Sequence, residues 1–287
     1  MSGLLAGVSR GAGAERTPQT RQWLLLMAMI ATSLLFLVGC ANPVAVPGTS
    51  GSNTEVVTDS DESHGRKRAR LRLELAIGYF EHGQTTVALD EIKQSLTADP
   101  TYADAYNLRG LVYMRLDDAA RAEDSFRRAI AINPREPNTL HNYGWLLCQQ
   151  QRYGDAAAQF SLAMAAPNYA DRAKTLMTQG VCQIKAGQPA EAERSLTQAY
   201  ELDTANPVIG YNLAALLVQR GEFSRAQFYI RRVNNSASAN AESLWLGVKI
   251  ERRLSNQEAL AQLAVQLQRR FPQSREAIAY ERGNFND

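Results

Sequence analysis

Histidine and cysteine are scarce in this chain, with three of each among 287 residues. His64, His82 and His141 stand far apart and have no second ligand at metal spacing. No Cys/His pairing, glycine-rich phosphate loop or nucleophile elbow occurs. Neither catalysis nor a bound metal or cofactor is therefore expected. The acids of Asp117-Asp118 and of Asp59-Ser60-Asp61-Glu62 read as solvated groups in a turn and a tether. An excess of one charge is missing too, since 31 basic and 29 acidic residues leave a net charge of +2. Removing residues 1–39 as a leader leaves 31 − 3 = 28 basic and 29 − 1 = 28 acidic residues. Near-zero charge disfavours nucleic acid as a partner. The one basic run, Arg66 to Arg72, reads as the solvated start of a helix more readily than as a contact for anionic lipid headgroups.

Long apolar runs are also rare. The run from Trp23 to Val38 has 16 residues, short of the roughly 17–25 that span a bilayer. Arg10, Arg16 and Arg21 precede it and Leu37-Val38-Gly39-Cys40 ends it, the pattern of a secretory signal. The final tetrapeptide resembles the lipobox of bacterial lipoproteins. That resemblance implies a signal peptide over 1–39, acylation of Cys40 and anchorage to a membrane by that lipid. Ala41, where Asp would retain a lipoprotein, implies the periplasmic face of the outer membrane. The stretch before the apolar run is long for an n-region and points to a start codon downstream of Met1. Asn42 to Gly65 is rich in Pro, Gly, Ser and Thr and lacks helical periodicity. Residues 40–67 are assigned to the lipidated cysteine and a flexible tether, whose coil reach is roughly 25–30 Å.

Beyond the tether a pattern recurs in blocks that begin at Ala69, Ala103, Pro137, Ala173, Pro207 and Asn240. The eighth positions are Ala76, Gly110, Gly144, Gly180, Ala214 and Gly247. The twentieth are Ala88, Ala122, Ala156, Ala192, Ala226 and Ala259, and the twenty-fourth are Ile92, Phe126, Phe160, Leu196, Ile230 and Leu263. Small residues at fixed sites let two helices approach, and a large apolar residue fills the next gap. The pattern resembles the tetratricopeptide repeat, a helix–turn–helix unit of 34 residues. An all-α fold is expected, a right-handed superhelix of about six such repeats over 68–272, with a tail at 273–287 that adds a short helix through Ile278 and Tyr280 and then frays. Gly83, Gly187 and Gly221 fall at turns within repeats, and Pro189 falls at the start of a second helix. Arg109 and Gln179 occupy a normally apolar seventh position, which predicts weaker contacts or snorkelling. The irregular link Ala165 to Asp171 lengthens the third block and is expected to bend the superhelix.

First helices line the concave face of such a stack. The resemblance to this repeat class places Leu73, Ile77, Phe80, Asn107, Leu111, Met114, Asn142, Trp145, Val181, Ile184 and Tyr211 along the groove, followed by Leu244, Trp245 and Val248. An apolar strip of this kind suits an amphipathic helix or an extended peptide. Cys148 and Cys182 fall at the twelfth and tenth positions of neighbouring first helices. A disulfide is possible in an oxidising compartment, but the unequal positions favour two separate buried thiols.

Asn142 to Tyr153 and Ser243 to Ile250, behind a lipobox, resemble the type IV pilus biogenesis/stability lipoproteins, the pilotins of the pilus secretin. The resemblance covers about Arg68 to Tyr280. It implies a non-enzymatic, monomeric carrier that binds the secretin subunit and promotes its outer-membrane localisation and multimer assembly. A repeat lipoprotein that scaffolds cell-wall hydrolases or proteases is the alternative.

Overall fold

The computed structural model describes residues 62–285. Cys40, the apolar run before it and most of the expected tether lie outside the described residues. Within them the chain is entirely helical. Six helix pairs follow one another: α1 (His64–Glu81) with α2 (Thr85–Ala98), α3 (Ala103–Arg115) with α4 (Ala119–Ile132), and α5 (Pro137–Gln149) with α6 (Tyr153–Met164). Then come α7 (Arg172–Lys185) with α8 (Pro189–Leu202), α9 (Pro207–Gln219) with α10 (Phe223–Asn234), and α11 (Ala241–Arg253) with α12 (Gln257–Arg270). A short helix α13 (Arg275–Glu281) ends the stack.

The boundaries have local causes. Pro137, Pro189 and Pro207 open α5, α8 and α9, where a missing N–H leaves no hydrogen bond unmade. Asp118 caps α4 and Asn206 caps α9 through side-chain oxygens, and Asn240 and Ser243 form a reciprocal capping box on α11. Every turn within a repeat needs one residue at positive φ. Gly83, Gly187 and Gly221 supply it in three repeats, while Asp117, Gln151 and Ser255 adopt φ of 57°, 62° and 58° in the others.

The α1 boundary differs from the expected domain start at 68. Ser63 accepts a hydrogen bond from the Arg66 N–H and starts the helix at His64, so the end of the expected tether is helical. Most of the basic run is engaged within the chain. Arg66 pairs with Asp99, Arg70 with Glu62 and Glu74, and Arg72 with Glu91.

Packing inside each pair is set by the eighth and twenty-fourth positions of the block. A Cβ placed on Gly110 would lie 2.6 Å from the Phe126 ring, and one on Gly144 would lie 2.8 Å from Phe160. Gly180 faces Leu196 in the same way, and Gly247 is closed in by Asn234 at 2.6 Å and Leu263 at 3.0 Å. Where the second residue is Ile92 or Ile230, the first is Ala76 or Ala214, and all four are buried. Glycine stands opposite phenylalanine or leucine and alanine opposite isoleucine, and the Gly/Phe and Ala/Ile pairs exchange volume between the two positions. Close packing of this kind leaves little tolerance for an added methyl.

Arg109 does reach outward. Its Nε donates to Ser125 Oγ at 2.9 Å, its guanidinium pairs with Asp124, and it lies over the Tyr106 ring. Burial depresses its pKa and Asp124 opposes that. The end of the stack departs from expectation. Leu244, Trp245 and Val248 are core, because α13 packs against α11 and α12 where a further repeat would stand. Phe285 stacks on Trp245 at 5.3 Å, so the tail is packed as far as that residue. The helix α13 therefore caps the sixth repeat.

The thiols are joined: Cys148 and Cys182 form a disulfide across α5 and α7, with Cα atoms 5.8 Å apart. Unequal positions allow this bond. In a stack built by repetition, equivalent residues point the same way, whereas a two-position offset turns a helical side chain by about 200°. One thiol then faces forward and the other faces back. About two turns from the disulfide on the same two helices, Tyr169 Oη and His141 Nδ1 each lie 2.9 Å from Thr175 Oγ1, all buried. Burial lowers the His141 pKa to about 4, with Lys174 adding to the effect and Asp171 opposing it.

Candidate partner-binding groove

First helices need one apolar face for the repeat core and have a second face left over. On α1 the core face is Ala69, Leu73 and Ala76, all buried. Ile77 and Phe80 stay on the other face, with Ile77 39% exposed. The matching faces of α3 and α5 complete a cleft of about 690 Å³. Leu73, Ile77, Phe80, Leu108 and Leu111 form its apolar lining, and Tyr102, Asn107 and Asn138 add polar groups.

Five of the expected groove residues thus meet in one cleft: Leu73, Ile77, Phe80, Asn107 and Leu111. The others are placed differently. Met114 and Trp145 are half-buried against the core of the second and third repeats, and the Lys185 ammonium lies 5.0 Å from the Trp145 ring centre. Asn142 donates to Asn107 Oδ1 at 3.1 Å, so these amides bind each other across α3 and α5. Val181 is half-buried on α7. Ile184 and Tyr211 pack on the core around α9 and α10. Burial raises the Tyr211 pKa, and Glu242 and Glu276 add to that. Of the residues lining the cleft, Leu73 also serves the core, at 5% exposure.

Sequence reasoning missed the charge around the cleft. Glu74, Glu81, Asp104 and Glu136 line it together with one cation, Arg70. Arg70 is held by Glu62 and Glu74. Burial raises the Asp104 pKa, and the nearby Glu136 raises it further, while Arg66 opposes both. Two of these acids had a legible signal, since Asp104 lies in the first turn of α3 and Glu136 is the N-cap of α5. No cluster of His, Cys, Asp and Glu suited to a metal ion exists among the described residues. None of the described helices is long and apolar enough to cross a membrane.

Comparison with known proteins agrees with this architecture. Tetratricopeptide repeat family models match residues 73–137 and 183–244. The type IV pilus assembly protein PilF of Pseudomonas aeruginosa is 27% identical over 248 residues, which cover 86% of this chain and 96% of that protein. The crystal structure of PilW, a widely conserved type IV pilus biogenesis factor, superposes with a TM-score of 0.68 at 29% identity, covering 74% of this chain and 98% of that one. The structure of P. aeruginosa PilF gives 0.69 at 25% identity, over 77% and 100% of the two chains. The chain is therefore a superhelix of tetratricopeptide repeats, similar in sequence and structure along nearly the whole of two type IV pilus biogenesis proteins.

Proposed function

We propose that this protein is an outer-membrane pilotin: a lipoprotein anchored through Cys40 that binds the type IV pilus secretin subunit and promotes its localisation and multimer assembly. The observation that carries the reading is similarity over 96% of PilF and 98% of PilW, whose names place them in pilus assembly and biogenesis. Similarity of that extent supports a role in pilus biogenesis for the whole repeat array rather than for one borrowed module. The finer reading draws on three parts of the chain. The lipobox cysteine supplies a membrane address, the Pro/Gly/Ser/Thr-rich stretch supplies reach, and the cleft across α1, α3 and α5 supplies an apolar surface for a protein segment. Such a protein acts by binding and delivery, so it needs no reacting group.

The test is deletion of the gene, followed by an immunoblot of the secretin run without boiling, which preserves its multimers. The expected result is loss of the high-mass band, restored by the wild-type gene but not by Cys40→Ser. An unchanged band in the deletion strain would overturn the reading and leave a cell-wall scaffold as the better account.

A further inference from the structure

The cleft across α1, α3 and α5 carries a charge that the fold does not consume. Over its apolar lining stand four carboxylates and one guanidinium, and that guanidinium is shared between Glu74 and Glu62, a residue outside the cleft. Among the described residues, the Glu136 carboxylate accepts from Asn138 of its own helix turn, at 3.3 Å and 3.2 Å. Asp104 is an exposed residue with Glu136 for a neighbour, a like charge that each would be better without. Acids near helix N-termini have a structural use, because the helix dipole favours them there. That use accounts for the position of Glu136, which caps α5, and in part for Asp104. It does not account for Glu81, the last residue of α1, where the dipole disfavours negative charge. Nor does the chain as a whole demand acids, since its net charge is +2. Arg115 does not answer them either, because its guanidinium lies 3.7 Å over the Phe80 ring and donates to the Phe80 carbonyl.

An apolar lining under an acidic rim selects by charge as well as by shape. We infer that the occupant of this cleft is a basic amphipathic segment of the partner protein, with apolar side chains at helical spacing for Ile77, Phe80 and Leu111, and Lys or Arg side chains for Asp104, Glu136 and Glu81. The inference rests on the pilotin reading for the identity of that partner, the secretin subunit. It adds the chemistry of the docking segment: cationic flanks, with affinity that falls as salt rises.

The experiment uses the full chain in cells. A photocrosslinking phenylalanine analogue replaces Asn107, and the crosslinked partner peptide is identified by mass spectrometry. The expected product is a secretin segment rich in Lys or Arg, alternating with apolar residues at helical spacing. The charge-reversed pair Asp104→Lys and Glu136→Lys should cut its yield about tenfold, from the loss of two ion pairs at a partly exposed rim. Asp104→Glu should preserve it. Thermal melts of the purified variants show whether the fold is intact; if the reversed pair is unfolded, Asp104→Asn with Glu136→Gln takes its place. A crosslink to a secretin segment without cationic residues, or no crosslink at all, overturns the inference. A yield indifferent to charge in folded variants does the same. None of these outcomes touches the pilotin reading, which is judged by the deletion strain. A crosslink to a different protein, with secretin multimers unchanged on deletion, overturns both.

Discussion

Replacing Gly110 with Ala probes how closely the two helices of the second repeat approach. The new Cβ would lie 2.6–2.8 Å from three atoms of the Phe126 ring, and Phe126 is fully buried. Overpacking at such a site costs about 1–3 kcal/mol, while the exchange of glycine for alanine inside a helix returns up to about 1 kcal/mol. The net expectation for Gly110→Ala is a loss of about 1–2 kcal/mol. Phe126→Ile alone opens a void and should cost about 2 kcal/mol, less than the roughly 3–5 kcal/mol for Phe→Ala. The chain already uses the combination: Ala76 faces Ile92, and Ala214 faces Ile230, all with 0–1% exposure. The double variant should therefore lose much less than the sum, with a coupling of about 2 kcal/mol, within the range for residues in contact. Urea unfolding of wild type, both single variants and the double variant measures this cycle. Gly78→Ala serves as control, since a Cβ there meets nothing within 4 Å, and a gain of about 0.5–1 kcal/mol is expected. Additivity within about 0.5 kcal/mol would refute the volume-exchange argument.

Three further perturbations address the stack beyond that pair. The disulfide closes a 34-residue separation, for which chain entropy gives a stabilisation of about 3–4 kcal/mol; Cys148→Ser with Cys182→Ser should lower Tm by about 6–12 °C, and reductant should shift wild type alone. Glu251 is 1% exposed and accepts from Arg231 at 2.9 Å, Gln227 at 2.8 Å and Asn256 at 2.9 Å. Arg231→Met removes the one cation of these three partners and should cost about 3 kcal/mol by chemical denaturation. His141 is held neutral, with a folded pKa of about 4 against about 6.5 unfolded. Below pH 6.5 the unfolded chain takes up that proton first, so the contribution is present above pH 6.5 and is lost as pH falls toward 4. Between pH 7.5 and 4.5 the wild type should lose about 2.5 kcal/mol more than His141→Gln, read from paired urea melts.

What was legible in the sequence was whatever repeats. The eighth, twentieth and twenty-fourth positions recur because each helix pair solves the same packing problem, and a period survives without a view of the third dimension. Turn residues were partly legible: Gly83, Gly187 and Gly221 announce a positive φ, whereas Asp117, Gln151 and Ser255 adopt it without a glycine to mark it. Contacts between repeats were harder to read. The Cys148–Cys182 bond depends on a rotation between unequal positions, and the cover over Trp245 depends on where a short terminal helix lands. The cleft was half legible. Its apolar members follow from register, but Glu74, Glu81, Asp104 and Glu136 come together only because α1, α3 and α5 lie side by side.

The junction between the third and fourth repeats shows how a stack tolerates an irregular link. In a solenoid each repeat touches only its neighbours, so a faulty interface cannot be rescued from elsewhere in the chain. The link Ala165 to Asp171 breaks the 34-residue period and places Asn168 at a φ of 57°. At that interface the chain sets a covalent bond and a buried polar run: Cys148 to Cys182, and Tyr169 through Thr175 to His141. Tyr169 belongs to the link itself, and its ring packs against Leu140 and Ala163, so the irregular segment is built into the core it interrupts. The expected bend point is thus cross-tied. The covalent tie and the polar run hold the third repeat to the fourth across the segment that interrupts the period.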